Sequence, residues 1–218
     1  MIELENITKD YVSDKCCTKA LKGVNLSISE GEFAAIMGKS GSGKSTLLNI
    51  IGAMDKPTQG VYRFAGETVS GCSNSKLHNF RKKYISFVFQ SFALMNRYTV
   101  YENVEMPLLA RGVRGRKRTV SEKLEMMGIA ELSKKYPTQL SGGQAQRCAI
   151  ARALAADTPL ILADEPTGSL DSITASGIMD IFKRLNGEGK TIIIVTHDIG
   201  IANRCDRIIE IVDGVIAT

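Results

Sequence analysis

The segment that most restricts the fold is Gly38-Lys39-Ser40-Gly41-Ser42-Gly43-Lys44-Ser45, a G-x-x-x-x-G-K-S loop between two apolar runs. Before it, Phe33-Ala34-Ala35-Ile36-Met37 reads as a buried parallel strand. After it, Ser45 opens a helix through Thr46-Leu47-Leu48-Asn49-Ile50-Ile51. Glycines at 38, 41 and 43 let the backbone curl with its N–H groups inward, a nest for phosphate oxygens. The helix N-terminus adds positive dipole at the same place. Lys44 is then expected to reach the β- and γ-phosphates of a nucleoside triphosphate, and the Ser45 hydroxyl to ligate Mg²⁺. Lys39, Ser40, Ser42 and Thr46 belong to the same binding stretch.

Leu140-Ser141-Gly142-Gly143-Gln144 repeats this logic 97 residues after Lys44. Ser141 is a good N-cap, and Gln144, three residues on, completes a capping box. Gln144 to Ala156 is alanine-rich and free of Gly and Pro, so a helix is expected. Its N-terminus is a second anion site. One domain has no need of two γ-phosphate cradles unless each cradle serves a different copy. A third segment, Leu160-Ile161-Leu162-Ala163, is a buried strand ending in Asp164-Glu165. Asp164 can hold Mg²⁺ through a water, and Glu165 is the candidate general base for the water that attacks the γ-phosphate. His197 follows the apolar run Thr191 to Val195 and so reaches the same sheet edge. Gln90 ends the run Ile85-Ser86-Phe87-Val88-Phe89.

Tyr11, Gly38 to Ser45, Gln90, Leu140 to Gln144, Asp164-Glu165, Ser169-Leu170-Asp171 and His197 together resemble the ordered motif set of ATP-binding cassette (ABC) ATPases. The resemblance covers essentially the whole chain. Three stretches, FVFQSFALMNRYTVYENVEMPLLARG, LADEPTGSLDSITASGIMDIF and VTHDIGIANRCDRIIEIVDG, are similar to one branch. That branch holds the ATPase subunits of macrolide exporters, lipoprotein-releasing complexes and peptide-antibiotic resistance transporters.

The resemblance implies ATP and Mg²⁺, and it implies roles. His197 would contact the γ-phosphate. Gln90 would contact Mg²⁺ and water and report to a membrane partner. Tyr11 would stack on adenine, although on residues alone Tyr62 and Tyr84 are alternatives. Ser141 and Gly143, with Gly142 and Gln144, would meet the γ-phosphate bound by the other copy, and Asp171 would stitch the two copies together. Lys39 departs from the pattern, since relatives more often carry Pro or a small residue there.

The expected fold is α/β, a P-loop NTPase (RecA-like) parallel sheet with an antiparallel β-subdomain and an inserted helical subdomain. Residues 1–218 are read as one domain, with 1–90 and 157–218 as the ATP-binding core and 91–156 as the helical lobe carrying the signature. Residues 1 to 35 and 60 to 70 read as short strands, and Pro107 and Pro137 as helix boundaries. No apolar run approaches the ~18 residues that span a bilayer. The start Met1-Ile2-Glu3-Leu4-Glu5 has no basic or apolar leader, so a cytoplasmic protein is expected.

Five cysteines (16, 17, 72, 148, 205) show no zinc spacing and are expected as reduced thiols, Cys148 in the core and Cys16-Cys17 in a solvated loop. Arg111, Arg114, Arg116, Lys117 and Arg118 supply much of the net charge of +5. No aromatic is interleaved among them, so a solvated surface is expected rather than nucleic-acid binding, with proximity to anionic lipid headgroups as the alternative.

The expected function is the ATP-hydrolysing motor subunit of a membrane transporter or mechanotransmission complex. A homodimer or pseudo-symmetric dimer would close on ATP and drive a separately encoded permease, which places the chain on the cytoplasmic face of the membrane. Other readings are a non-transport ATPase of DNA repair or translation, a cell-division signalling ATPase, or a nonenzymatic nucleotide sensor. The spacing leaves no room for the coiled coil of the repair type, and the translation type carries two cassettes. Glu165 and His197 together disfavour the sensor. The transported substrate lies beyond this sequence, since selectivity belongs to the permease.

Overall fold

Two long strands open the chain. In the computed structural model, which describes residues 1–13, 16–168 and 170–217, β1 (Ile2–Ser13) pairs antiparallel with β2 (Cys16–Ile28). They run to 12 and 13 residues, longer than the short strands expected. A β-bulge explains the difference. Asn6 takes φ 50° and the register shifts between Leu4 and Ile7, so Ile2, Leu4 and Ile7 stay buried although their spacing changes parity. Gly60 backs the bulge, where a Cβ would collide with the Asn6 carbonyl oxygen. Cys16 and Cys17 stand exposed on β2, not in a loop.

After β3 (Phe33–Met37) and α1 (Lys44–Ile51), β4 (Gln59–Phe64) and β5 (Glu67–Thr68) complete an antiparallel sheet of order β2-β1-β4-β5. Ser73 caps α2 (Asn74–Tyr84), which leads into β6 (Ile85–Val88). Three helices follow: α3 (Val100–Ala110), α4 (Arg116–Met126) and α5 (Gly142–Ala155). Then come β7 (Leu160–Asp164), α6 (Ser172–Gly187), β8 (Thr191–Val195), the short α7 (Ile199–Ala202), β9 (Arg207–Val212) and β10 (Val215–Ala217).

The second sheet has the order β10-β9-β3-β8-β7-β6, parallel except for β10 at its edge. Successive side chains of a strand face opposite ways. Ile161 and Ala163, with Ile192 and Ile194, therefore join the core under α3, α5 and α6, while Leu160, Leu162, Ile193 and Val195 join the core around α1 and the antiparallel sheet. Both faces are covered, which is why β7 and β8 read as unbroken apolar runs. β6 lies at the other edge and alternates, with Ser86 and Val88 buried, and Phe89 falls outside it.

Pro107 sits inside α3 and does not bound it. The ring removes one N–H donor. The next turn still closes, with Arg111 N donating to the Pro107 carbonyl at 3.2 Å, and burial of Val100, Val104 and Leu108 holds the helix down. Pro137 does start a short 3₁₀ turn. Arg116 pairs with Glu105 and Arg118 with Glu122, both at 2.8 Å, and Arg111 donates to the Lys82 and Lys83 carbonyls. Cys148 is fully buried, and that burial pushes its thiol up to about 12. Among the described residues no helix is long and apolar enough to cross a membrane.

Candidate active site

The parallel strands β3, β7 and β8 end at one edge, and the chain leaves each of them into the same cleft. Its cavity of about 640 Å³ is lined by Gly38, Lys39, Ser40, Gly41, Gly43, Lys44, Ser45, Thr46, Gln90, Asp164, Glu165 and His197. Sequence reasoning missed its far wall, Thr18, Lys19 and Ala20 of β2. No motif marks those residues; only the curl of the antiparallel sheet brings them here.

The loop before α1 is built for close approach. Gly43 occupies the N-cap position at φ 106°, a left-handed backbone that suits glycine, and a Cβ there would lie 2.6 Å from the Ala20 carbonyl oxygen. No side chain caps α1. Lys44 Nζ donates to the carbonyls of Gly38 and Lys39, both at 2.8 Å, so its charge stands over the loop. The buried Ser42 hydroxyl has no partner among the described residues. An uncapped helix, a cation and an orphaned hydroxyl make a site that an anion would satisfy.

Asp164 closes β7 beside the Ser45 hydroxyl, Lys44 and Glu165. Burial pushes its carboxyl above the usual range and Glu165 adds to this, against the lowering effects of the Ser45 hydrogen bond and Lys44. A hydroxyl and a carboxylate are hard oxygen donors, and Mg²⁺ takes few such protein ligands while keeping waters and substrate oxygens. Among the described residues no three His, Cys, Asp or Glu gather into a metal cage. Ser45 and Asp164 therefore fit Mg²⁺ shared with a phosphate.

Glu165 sits at φ 46°, a left-handed conformation unusual for a side-chain-bearing residue. Its N–H donates to the Val195 carbonyl at 2.9 Å, which ties the turn after β7 to the end of β8. Its Oε1 lies 2.8 Å from Nδ1 of the exposed His197, and that contact holds the imidazole above its ordinary pKa. Gln90 is exposed, two residues past β6. Phe92 and Ala93 follow with φ 62° and 47°.

Tyr11 is half-exposed on β1 and outside the cleft lining. Its phenol donates to Asp55 Oδ2 at 2.9 Å, and the Lys9 ammonium sits 4.9 Å from its ring. Tyr62 is buried with its hydroxyl on the Ile51 carbonyl, and Tyr84 packs against Phe64 and Phe80. Neither alternative tyrosine lines the cleft.

The second predicted cradle lies elsewhere. Ser141, Gly143, Gln144 and Asp171 line a cavity of about 440 Å³ that shares no described residue with the first. Ser141 Oγ accepts from Gln144 N at 3.3 Å, and Gln144 Oε1 accepts from Ser141 N at 3.0 Å, the expected capping box. Gly142 opens α5, exposed, beside them. Asp171 caps α6 by accepting from Thr174 N and Oγ1, which hold its carboxyl below the usual range. Ser169, expected in the same stretch, lies outside the described residues.

Residues 21–168 match the ABC transporter family. The chain is 48% identical over 217 residues to the macrolide export ATP-binding/permease protein MacB of Chlorobaculum tepidum, covering 99% of this chain and 33% of that protein. It is 50% identical over 221 residues to the ABC transporter ATP-binding protein MJ0796 of Methanocaldococcus jannaschii, covering 98% of this chain and 94% of the relative. The chain thus spans about a third of the macrolide exporter and nearly all of the archaeal protein. A solved dimer of MJ0796 in a post-hydrolysis state, bound to ADP and Pi, superposes with a TM-score of 0.95 at 46% identity, covering all of this chain and 97% of the other. A second dimeric MJ0796 structure gives 0.93 at 48% identity.

Proposed function

From the premise that the chain belongs to the ABC transporter family of ATPases, we propose that it is an ATP-hydrolysing motor working as a two-fold dimer beneath a membrane permease. The observation that carries this reading is the separation of its two anion sites. The cleft around Lys44 holds Glu165 and His197 but no signature residue, and the Ser141 cavity holds no P-loop residue. A second copy in opposite orientation supplies to each cleft what it lacks. Two dimeric MJ0796 structures, one of them bound to ADP and Pi, support a dimeric reading.

In this reading the loop from Gly38 to Thr46 wraps the phosphates of ATP, and Lys44 turns from its own carbonyls to the β- and γ-phosphates. Ser45, Asp164 and Gln90 would hold Mg²⁺. The ion, when bound, neutralises charge developing on the phosphates. Glu165 takes a proton from the attacking water. His197 orients that carboxylate from one side and reaches toward the γ-phosphate. Tyr11 stacks on the adenine from the edge of β1, and Asp171 bonds across the interface. Residues 91–156 form a lobe that turns relative to the core and carries motion from Gln90 to the permease. The macrolide exporters, which carry permease and ATPase in one chain by name, support a membrane partner and a position at the cytoplasmic face.

Glu165→Gln tests this directly. It keeps size and Mg²⁺ ligands but removes the base, so hydrolysis should fall by ~10²–10⁴-fold with ATP binding intact. In size-exclusion chromatography the variant should run as a dimer with ATP and as a monomer with ADP, which lacks the bridging phosphate. A monomer with both nucleotides would refute the shared site, and undiminished hydrolysis would refute the base.

A further inference from the structure

Three of the eight described non-glycine residues with positive φ flank the cleft: Phe92 and Ala93 just after Gln90, and Glu165 itself. Backbone of this kind persists only where its surroundings hold it. Both loops have bonds of their own, such as that from Glu165 N to the Val195 carbonyl, and both also accept side-chain donors from one helix, α5. Arg152 is half-buried, and its guanidinium donates to the Ala93 carbonyl at 2.5 Å and the Phe92 carbonyl at 2.9 Å. Gln146 is 1% exposed, and its Nε2 donates to the carbonyl of Pro166, the residue after Glu165, at 2.7 Å.

Packing alone does not account for Gln146. Its Oε1 is buried without a partner among the described residues, an uncompensated desolvation that an apolar side chain of the same length would avoid. What the amide supplies is the single bond to the loop that carries Glu165. Gln146 lies just over one turn from the N-cap Ser141, and Arg152 roughly 9 Å further along the axis at 1.5 Å per residue. A stiff helix therefore links the second anion site to both loops of the first.

We propose that Gln146 and Arg152 are positioning residues, through which α5 sets the Glu165 and Gln90 loops of its own cleft according to what is docked at Ser141. This rests on the shared-site dimer above. Phosphate brought to Ser141 by a second copy would then tune hydrolysis in the very chain that offers Ser141, and so couple the two sites of a dimer through each protomer.

Gln146→Met keeps side-chain length but removes the bond to Pro166. Arg152→Lys keeps the charge, but one ammonium cannot reproduce the planar grip on two carbonyls. Each variant is measured for ATP affinity, kcat and KM, and again in the Glu165→Gln background for ATP-dependent dimerisation. Both should bind ATP within about twofold of the parent and still form the dimer. Their kcat should fall by about 10- to 100-fold at unchanged KM, as a misplacement of roughly 1 Å can cause.

Unchanged kcat in both variants overturns the proposal. So does a parallel loss of affinity, dimer and thermal stability in both, which marks a structural role only. If Gln146→Met alone fails to fold, Arg152→Lys decides. A Glu165→Gln parent that stays monomeric with ATP defeats the shared-site reading instead, and the kcat values still judge the bracing of the loops.

Discussion

Two helices in this protein begin at a glycine-rich turn, and they begin differently. α1 starts at Gly43 with no side-chain cap, deep in a cleft with an orphaned Ser42 hydroxyl and the Lys44 ammonium over it. α5 starts at Ser141, where a reciprocal box with Gln144 satisfies the first turn from within. No side chain serves the first start, whereas the second has two of its donors satisfied from within. An uncapped N-terminus suits a site that keeps its ligand, whereas a capped one suits a surface that engages a ligand only transiently. The Ser141 hydroxyl accepts from Gln144 N, which leaves its own proton free to donate.

The sharpest way to break this comparison is Lys44→Ala. Losing charge-assisted contacts to two phosphates, at about 1.5–3 kcal/mol each, should weaken ATP binding by ~10²–10⁴-fold. Equilibrium titration with and without Mg²⁺ measures it, and unaltered affinity would remove α1 from its assigned part. Ser141→Arg should do the opposite: affinity stays within about twofold while hydrolysis drops by ~10²-fold or more, because bulk and charge keep a second copy off the α5 N-terminus. Mixing the two variants should restore at most one competent site per dimer. Were Ser141→Arg to lose ATP binding as Lys44→Ala does, the two starts would not serve different copies.

The smallest effect is a titration. The Glu165 hydrogen bond raises the His197 imidazole pKa above its ordinary value in the folded protein, so folding favours the protonated ring. The contact therefore stabilises fully below the unfolded value and fades as pH rises through the raised one. NMR titration should place the His197 imidazole above its ordinary pKa, and Glu165→Gln should bring it down. An unmoved His197 resonance in that variant would separate the pair.

Legibility in the sequence followed the range of the physics. The glycine loop, the capping box at Ser141 and the apolar runs ending at Met37, Asp164 and Val195 are local patterns, and each took the form that its residues dictate. The long β1–β2 ribbon was hidden because one bulge at Asn6 breaks the alternation on which strand reading depends. Pro107 was misread as a boundary because burial of the α3 face against its neighbours outweighs one missing donor.

By itself, then, the sequence determined the glycine loop before α1, the Ser141 capping box and the order in which the elements alternate, since these depend on residues a few positions apart. Tertiary structure alone decided that Thr18 to Ala20 wall the cleft, that Tyr11 ties to Asp55, and that Gln146 and Arg152 of α5 grip the Pro166 and Phe92–Ala93 loops. The hydrogen bonds among them join residues 20 to 60 positions apart, across strands and helices whose packing no short pattern encodes.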